Sequence, residues 1–335
     1  MKAAVFYGSR DIRVEEVATP RLEAGDVLIR VRACGICGSD LHAYKLGLFP
    51  GLGVPVGAGR IMGHEFGGEV AEVGGQVEGL KVGDRVTAIG FGANAEYFKV
   101  PALMTPVIVH LPPEVSYEEA ATNEPLANSV HAVGLASPAD GETIVILGAG
   151  IIGLGVLQVL KAMHSTKVIV TDLSDKRLAM AQELGAEVVI NAAREDPYQR
   201  ILDMTGSTPL MFMEEWPMSS VDTVFDCAGG TAEHTGTPAL WQGLLMVREN
   251  GKVVVVAIFE KPFEIDYNII VRKGIKVFGS WGWSLDEFNQ AVELMRSGKV
   301  DRKPLITHEF PLDRAKEAYE TQLKAEESIK VLLKP

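Results

Sequence analysis

A glycine turn between a strand and a helix decides the fold of the central part of the chain. Residues 143–153 read TIVILGAGIIG: an apolar strand, the pattern G-x-G-x-x-G and the start of an apolar helix. Further apolar strands at 167–170, 188–190 and 253–256 alternate with helical patterns. Because such alternation is typical of parallel sheets with helices on both faces, residues 143 to about 258 predict a doubly wound α/β domain.

The glycines of this turn have separate roles in binding a dinucleotide. Gly148 permits the tight turn, Gly150 lets the backbone approach a pyrophosphate, and Gly153 allows the helix to lie close to the strand. Ile151 and Ile152 begin that helix. The pattern alone is weak, and a purely structural glycine turn is the alternative, but its position between strand and helix favours a Rossmann-type dinucleotide site.

The choice of cofactor depends on the end of the next strand. Asp172 lies there, about twenty residues after the glycines, where a carboxylate accepts hydrogen bonds from the adenosine ribose and repels a 2′-phosphate. NAD is therefore favoured over NADP. Arg177, one helical turn further on, either stacks on the adenine or is an exposed surface residue.

The first third of the chain has shorter, β-like segments between glycine turns. They lie at 27–33, 68–73 and 85–89, and a similar segment returns at 329–333. These predict a partly antiparallel β domain. A chain of 335 residues is long enough for two domains. We therefore predict a β-rich domain at 1–130 and 271–335, divided by an inserted nucleotide-binding domain at 131–270.

Possible ligands of a catalytic metal are spread over the first half of the chain. They are Cys37, the adjacent residues His64 and Glu65, and Glu124, in three separated segments. A thiolate, an imidazole and a carboxylate are typical ligands of catalytic Zn²⁺, because three protein ligands leave one tetrahedral position open. The alternatives are a surface or helix-capping pair for His64 and Glu65, and a simple helix start for Glu124.

The cysteine count argues against a second, structural zinc. Cys34 and Cys37 form a C-x-x-C, but a closed tetrathiolate needs four sulfurs and Cys227 is the only other cysteine. We expect Cys34 and Cys227 to be buried thiols at strand ends. With no disulfide framework and no apolar signal segment at the start, a reducing cytoplasm is the expected location.

The charge balance excludes several classes of partner. The formal net charge is −12, so nucleic acid and anionic membrane surfaces are unfavourable partners. We expect instead a small-molecule substrate that is not strongly anionic. The apolar run 144–160 approaches the roughly 20 residues of a membrane span, but its glycines and its strand–turn–helix pattern predict burial in a globular core.

Together these motifs resemble the zinc-dependent medium-chain alcohol dehydrogenases, and within them the polyol branch typified by sorbitol and butanediol dehydrogenases. The resemblance rests, besides the glycine turn, on ACGICGSDLH at 33–42, GHE at 63–65, GDRV at 83–86, EPL at 124–126 and PLIT at 304–307. It implies a GroES-like catalytic domain around an inserted Rossmann domain, in a homodimer or homotetramer.

The resemblance also assigns roles to single residues. Cys37 and His64 match metal ligands, while Glu65 and Glu124 match partners that bind zinc directly or through water; which of them binds directly is left open. Ser39 matches the residue that relays the substrate proton, and His42 matches the base that passes it toward solvent.

Two departures from the family pattern change the expectations. Many relatives carry a lobe with four cysteines after the GDRV strand, whereas residues 87–98 contain no cysteine, so one catalytic zinc per chain is expected. Sorbitol-type enzymes also place an arginine where residues 275–283 read IKVFGSWGW. A less polar cleft follows if Trp281 and Trp283 line it; the alternative places them in the core or at a subunit interface.

The favoured function is a zinc-dependent transfer of hydride between a secondary alcohol, diol or polyol and NAD, giving the ketone. Two alternatives are a zinc-free quinone or enone reductase on the same fold and a catalytically silent dinucleotide-binding protein. The first does not need the ligand set Cys37, His64 and Glu124, and the second would be expected to have lost it.

Overall fold

The computed structural model describes residues 1–49, 53–210, 213–230 and 238–335, and only the backbone of 208–210 and 213–216. The chain divides into two compact units: Met1–Pro125 with Phe288–Pro335, and Leu126–Glu287. The mixed α/β architecture that the sequence predicts, a β-rich domain and a doubly wound domain, is confirmed.

The strands and helices have the following bounds. The strands are β1 Lys2–Gly8, β2 Asp11–Glu16, β3 Val27–Gly35, β4 Leu48–Phe49, β5 Val54–Pro55, β6 Arg60–Ile61, β7 Glu65–Val73, β8 Arg85–Ile89, β9 Tyr97–Val100, β10 Val109–His110, β11 Thr143–Leu147, β12 Lys167–Asp172, β13 Val188–Asn191, β14 Thr208–Leu210, β15 Met213–Met218, β16 Val221–Asp226, β17 Val247–Val255, β18 Lys276–Gly279, β19 Ile306–Pro311 and β20 Lys330–Lys334. The α-helices are α1 Gly38–Leu46, α2 Tyr117–Ala120, α3 Asn123–Ala136, α4 Ile151–Met163, α5 Asp175–Glu183, α6 Pro197–Thr205, α7 Ala239–Met246, α8 Asn268–Lys273, α9 Leu285–Arg296 and α10 Ala315–Gln322.

The first unit is built around β3, which pairs with β7, β9 and β20 in antiparallel register. Val27, Ile29 and Val31 of β3 are buried with apolar residues of the neighbouring strands. The register places Gly35, at the end of β3, opposite Glu65 at the start of β7, while Cys34 pairs with Leu333 of β20. Three distant parts of the sequence therefore meet at one end of β3.

The second unit contains a six-stranded parallel sheet in the order β13-β12-β11-β16-β17-β18. The strand order reverses between β11 and β16, and ligands of doubly wound sheets bind at such a switch point. β18 lies beyond residue 270, where the sequence analysis ended the inserted domain. Most of its side chains are exposed, so this edge strand lacks the apolar run of the central strands.

The segment between α6 and β16 contains a short pair of strands. β14 and β15 pair as a small antiparallel hairpin, with Thr208 opposite Met218. Met211 and Phe212, which make this segment apolar, lie outside the described residues. In the part of the chain that the structure describes, no helix is both long enough and apolar enough to cross a membrane.

Candidate functional site

Three side chains with metal-binding atoms meet in the first unit. The ligand atoms of Cys37, His64 and Glu65 all lie within 4.8 Å of one another. Cys37 immediately precedes α1 and Glu65 begins β7, so the end of β3 and the start of β7 position the group. His64 and Glu65 are buried, with 6% and 1% of their surface exposed, and Cys37 is half-buried.

The chemistry of this group fits a metal ion. Glu65 Oε1 and His64 Nδ1 are buried and make no hydrogen bond within the described residues, whereas Glu65 Oε2 faces the ammonium of Lys330. An unsatisfied buried polar group costs roughly 1–3 kcal/mol, so a cation that engages Glu65 Oε1 stabilises the site. A thiolate sulfur, an imidazole nitrogen and a carboxylate oxygen form a donor set suited to zinc.

The electrostatic surroundings shift the pKa values of both the Cys37 thiol and the His64 imidazole. Burial, followed by the charge of Glu65, raises the pKa of the Cys37 thiol, although His64 acts against this. Burial lowers the pKa of His64, but Asp40 and Cys37 outweigh it, so the pKa is raised overall. Coordination to a metal deprotonates a thiol, so Cys37 would ligate as a thiolate.

Asp40 supports the group and is a residue to which the sequence analysis assigns no role. It is 1% exposed and accepts hydrogen bonds from the backbone N–H groups of Cys37 at 3.1 Å and Gly63 at 3.4 Å. Its Oδ1 is 3.8 Å from His64 Nδ1. A carboxylate behind a histidine orients the ring toward a metal. Asp40 lies within the quoted motif ACGICGSDLH, so the sequence could have indicated its supporting role.

Lys330 in the last strand is a second supporting residue that the sequence analysis missed. It is completely buried, forms an ion pair with Glu65, and donates a hydrogen bond to the carbonyl of Ile36 at 2.9 Å. Burial lowers its pKa, but the attraction of Glu65 and Cys37 raises it above the ordinary value. A lysine in a terminal strand normally indicates a solvent-facing side chain, so the sequence offers no signal for this role.

Arg302 is a second buried cation in the same unit. Its Nε donates to Thr122 Oγ1 at 3.2 Å, and none of its surface is exposed. Burial lowers its pKa to about 9, against the attraction of Glu65. Gly35 leaves room for the ion pair of Glu65 and Lys330, since a Cβ there would lie 2.4 Å from Glu65 Oε2 and 2.8 Å from Lys330 Cε.

Glu124 lies outside the three-residue group. It is half-buried in the first turn of α3, and its charge acts on both His64 and Lys330. The geometry therefore favours Glu65 over Glu124 as the nearer carboxylate.

Ser39 and His42 lie in α1, directly after Cys37. Their spacing of three residues puts them on one face of the helix, and both are half-buried. The proton path assigned to them from the family resemblance stays a prediction.

Aromatic rings border the metal-binding group. The Phe91 ring is 58% exposed, and its centroid is 5.3 Å from that of His64. The Phe49 ring lies 6.4 Å from Phe91 in an edge-on arrangement. An exposed aromatic side chain beside buried ligands provides an apolar wall for a small substrate.

In the second unit, two of the three predicted glycines are required by the fold itself. Gly148 has φ +94°, and a Cβ there would lie 2.8 Å from the backbone of Ala228. A Cβ on Gly153 would lie only 1.9 Å from the carbonyl oxygen of Gly148. Gly150 differs, because the nearest atom to its Cβ position is Arg177 Nη1 at 3.9 Å. Its missing side chain leaves space rather than relieving a clash.

Asp172 and Arg177 both lie beside this turn. Asp172 Oδ2 accepts a hydrogen bond from the Ala149 N–H at 2.6 Å, and Oδ1 accepts one from the Ser174 N–H at 2.8 Å. The carboxylate is therefore oriented by the backbone before any ligand binds. Arg177, near the start of α5, is close to Gly150 as described above; its stacking on adenine stays a prediction.

Asp226 ends β16 at the switch point of the sheet, and the sequence analysis gives it no role. It is completely buried, and its Oδ1 accepts hydrogen bonds from the N–H groups of Ala228 at 3.1 Å and Gly229 at 3.3 Å. Burial raises its pKa to about 6 despite these two bonds. The carboxylate shapes the loop that lies against Gly148.

The three cysteines are free thiols. Cys34 is completely buried in β3 among apolar side chains, as expected for a structural thiol. Cys227 directly follows β16 and is half-buried, so the prediction of a buried thiol is wrong for this residue. Neither belongs to the group formed by Cys37, His64 and Glu65.

Comparison with known proteins agrees with both units. The family described as "Alcohol dehydrogenase GroES-like domain" matches residues 23–113, and the family described as "Zinc-binding dehydrogenase" matches residues 152–297. (R,R)-butanediol dehydrogenase of Bacillus subtilis (strain 168) is 34% identical over 371 aligned residues, covering 100% of both chains. Sorbitol dehydrogenase of the same organism is 32% identical, covering 100% of this chain and 97% of the relative.

The crystal structure of 2R,3R-butanediol dehydrogenase from Bacillus subtilis has a TM-score of 0.82 to this chain, at 32% identity, covering 100% of this chain and 99% of the other. The similarity extends over both units, and both relatives are more than 30% identical over the full length of this chain. The chain therefore belongs to the zinc-dependent medium-chain alcohol dehydrogenases, in their polyol dehydrogenase branch, and is an oxidoreductase.

Proposed function

We propose that this protein is a zinc- and NAD-dependent dehydrogenase that oxidises a small secondary alcohol, diol or polyol to the ketone. The observation that carries the proposal is the group of Cys37, His64 and Glu65, whose ligand atoms lie within 4.8 Å of one another. The relatives named for butanediol and sorbitol support a substrate with vicinal hydroxyl groups.

Cys37, His64 and Glu65 would hold one Zn²⁺, leaving a coordination position for the substrate alcohol or water. Glu124 would bind through water or exchange with Glu65. A second, structural zinc is not expected, because only Cys34 and Cys227 remain as thiols and Cys34 is enclosed in the core. The proposed stoichiometry is one zinc per chain.

When bound, zinc supplies Lewis-acid polarisation of the alcohol oxygen, and NAD supplies the acceptor for the hydride. The residues of the chain manage the proton and the geometry. Ser39 Oγ would accept the hydroxyl proton as it gives up its own, and the half-buried His42 would be the base that passes a proton toward solvent. Asp40 and Lys330 would hold His64 and Glu65 in place, as their contacts with these two residues indicate.

NAD rather than NADP is the proposed cofactor. Gly148, Gly150 and Gly153 would receive the pyrophosphate at the start of α4, with Ile151 and Ile152 in its first turn. Asp172 would accept hydrogen bonds from the ribose hydroxyls through its remaining lone pairs. Its negative charge would repel a 2′-phosphate, while Arg177 would lie near the adenosine.

A homodimer or homotetramer is the proposed assembly. β18 is the outer strand of its sheet and pairs only with β17 among the described strands. Val277 on this strand, Val271 before it and Trp281 after it are 45%, 80% and 70% exposed. An exposed apolar edge strand is unfavourable in a monomer, so a second subunit is expected to cover it. The free thiols favour a reducing, cytoplasmic location.

The test combines metal analysis with an activity screen of the purified full-length chain. We expect about one zinc per chain by mass spectrometry, and NAD reduction with 2,3-butanediol or a related diol. Two tightly bound zinc ions per chain would contradict the stoichiometry. Reduction of a quinone or enone by a metal-free preparation, without alcohol oxidation, would replace this proposal by the zinc-free alternative.

A further inference from the structure

Arg60 is an exposed cation that the proposed reaction does not use. It begins β6, where Arg60 pairs with Phe6 of β1 and Ile61 pairs with Val5, so its backbone is held by a strand. Its guanidinium carbon lies 5.5 Å from the centre of the Phe49 ring and 5.7 Å from that of Phe91. A guanidinium within about 6 Å of an aromatic ring is attracted to the face of that ring. Two rings therefore hold the Arg60 side chain.

These rings place the cation next to the metal-binding group. Phe91 contacts Arg60 on one side and the ring of His64 on the other, at 5.3 Å between ring centres. A single aromatic side chain thus separates the guanidinium from a candidate zinc ligand. An extended substrate whose reacting hydroxyl is at the metal can reach Arg60 with its opposite end.

Among the described residues, no partner uses the hydrogen-bonding capacity of Arg60. Arg13, another exposed arginine over an aromatic ring, has an ion pair with Asp11, and Arg314 has one with Glu317. Across residues 1–49, 53–210, 213–230 and 238–335, by contrast, the structure gives the Arg60 side chain ring contacts but no ion pair or hydrogen bond. A guanidinium that lies against rings keeps N–H donors on its edge for a carboxylate or a phosphate.

We propose that Arg60 binds an anionic group at the far end of the alcohol substrate, so that the preferred substrate class is polyols that carry a carboxylate or a phosphate. This inference rests on the proposed function, because it requires the reacting hydroxyl to bind at the Cys37, His64 and Glu65 group. Phe49 and Phe91 position the guanidinium, and the edge of the guanidinium pairs with the anion.

The proposal revises the expectation, drawn from the net charge of −12, that the substrate is not strongly anionic. At physiological ionic strength the Debye length is about 8 Å, so most of the acidic surface is screened from a ligand at the site. A guanidinium in direct contact with a carboxylate is screened much less. The local cation therefore outweighs the overall charge in selecting the bound group.

The test compares three substrates of similar length with NAD: sorbitol, gluconate and sorbitol 6-phosphate. We expect at least one of the two anions to have a higher kcat/KM than sorbitol. Arg60→Gln should lower the anion-to-sorbitol ratio at least tenfold, while Arg60→Lys should retain part of it because the charge is kept. Arg13→Gln is the matched control, since it removes an exposed arginine over a ring elsewhere in the unit, and its ratio should equal that of the parent.

Ionic strength gives a second readout that a structural role of Arg60 would not produce. Between about 0.02 M and about 0.5 M salt, KM for the anion should rise in the parent and change much less in Arg60→Gln. A preference for gluconate alone identifies a carboxylate, and for sorbitol 6-phosphate alone a phosphate; either result supports the proposal.

Two results would overturn it. One is a parent enzyme that prefers sorbitol to both anions, and the other is an anion-to-sorbitol ratio that Arg60→Gln leaves unchanged while melting curves show a folded protein. Oxidation of sorbitol or 2,3-butanediol by NAD in the same assays would then show that the proposed function stands without Arg60. Absence of any alcohol oxidation would instead refute the proposed function itself.

Discussion

The metal-binding group and the glycine turn are built in opposite ways. Cys37 comes from one segment and the adjacent residues His64 and Glu65 from another, and Lys330 from the last strand completes their surroundings. The turn at 148–153 is one contiguous stretch whose function depends on backbone and on missing side chains. Substitutions in the first region should therefore remove chemistry and leave the fold, whereas some substitutions in the second should damage the fold directly.

The largest effect is expected at Cys37. Cys37→Ser should lower kcat by at least about 10³-fold and reduce bound zinc well below one per chain, because the serine hydroxyl is a poor substitute for a thiolate ligand. An open catalytic site contributes less to folding than a closed structural one, so the melting temperature of the metal-free proteins should be similar. Activity and zinc content by mass spectrometry are the measurements.

Cys34→Ser is the matched control for this prediction. Cys34 is three residues away and completely buried in the apolar core. Its substitution should lower stability by about 1–3 kcal/mol through the buried hydroxyl, while zinc content and kcat are retained. If position 34 rather than 37 abolishes zinc binding, the two cysteines have been assigned the wrong way round.

The glycine turn allows a test that separates packing from ligand binding. Gly153→Ala should destabilise the free protein by about 3 kcal/mol or more, because its Cβ would lie 1.9 Å from the Gly148 carbonyl oxygen. Gly150→Ala should leave the melting temperature of the free protein nearly unchanged, since the nearest atom is 3.9 Å away and its φ of −74° suits alanine. Calorimetry and NAD titration by fluorescence measure both effects.

Gly150→Ala should nevertheless weaken NAD binding about tenfold, because the added methyl group occupies the space through which the backbone approaches the pyrophosphate. Unchanged NAD affinity in Gly150→Ala would remove the ligand-based explanation for this glycine. Equal stability of Gly153→Ala and Gly150→Ala without NAD would contradict the distinction between a packing glycine and a ligand-binding glycine.

These two regions also explain how far the sequence could be interpreted. The glycine turn, its strand and Asp172 are local in sequence, so spacing alone predicts their arrangement. The proposed zinc ligands follow from residue type and family resemblance, but the supporting roles of Lys330 and Arg302 do not. Their burial depends on pairing between β3 and β20 and on neighbours far away in the chain. Arg60 was missed for the same reason, since its ring contacts are with Phe49 at the end of β4 and with Phe91 after β8.

Asp172 is expected to give an intermediate effect. The parent should prefer NAD over NADP at least about tenfold in kcat/KM, or about 1.4 kcal/mol. Asp172→Asn should narrow this ratio by removing the charge while an amide oxygen still accepts a hydrogen bond from Ala149 or Ser174. Asp172→Ser loses both the charge and the reach, so it should also weaken the turn. Equal use of NAD and NADP by the parent would contradict the role given to Asp172.

The smallest effect concerns two buried lysines, one in each unit. Lys330 has a carboxylate partner, whereas the Lys273 ammonium donates only to the backbone carbonyls of Leu244 at 2.9 Å and Leu245 at 2.7 Å among the contacts found in the described residues. Burial lowers the pKa of Lys273 to about 7, and the more distant Glu249 opposes this only in part. Because this attraction does not compensate for burial, folding disfavours the protonated form of Lys273.

A pH dependence of stability follows from this difference. Between the folded pKa of about 7 and the unfolded value of 10.5, the unfolded chain holds a proton that the folded chain has released. Stability should therefore rise with pH, by up to about 1 kcal/mol between pH 7 and pH 8, or about 2 °C in melting temperature. Below pH 7 both states are protonated and the contribution of this group becomes constant.

Lys273→Met should remove this part of the slope. Lys276→Met is the control, because it changes the net charge equally on an exposed side chain of β18. Melting curves of the parent and both variants at pH 6, 7, 8 and 9 give the comparison. If Lys273→Met and Lys276→Met change the slope equally, Lys273 stays protonated in the folded protein, and its two carbonyl partners compensate for burial as effectively as the carboxylate does for Lys330.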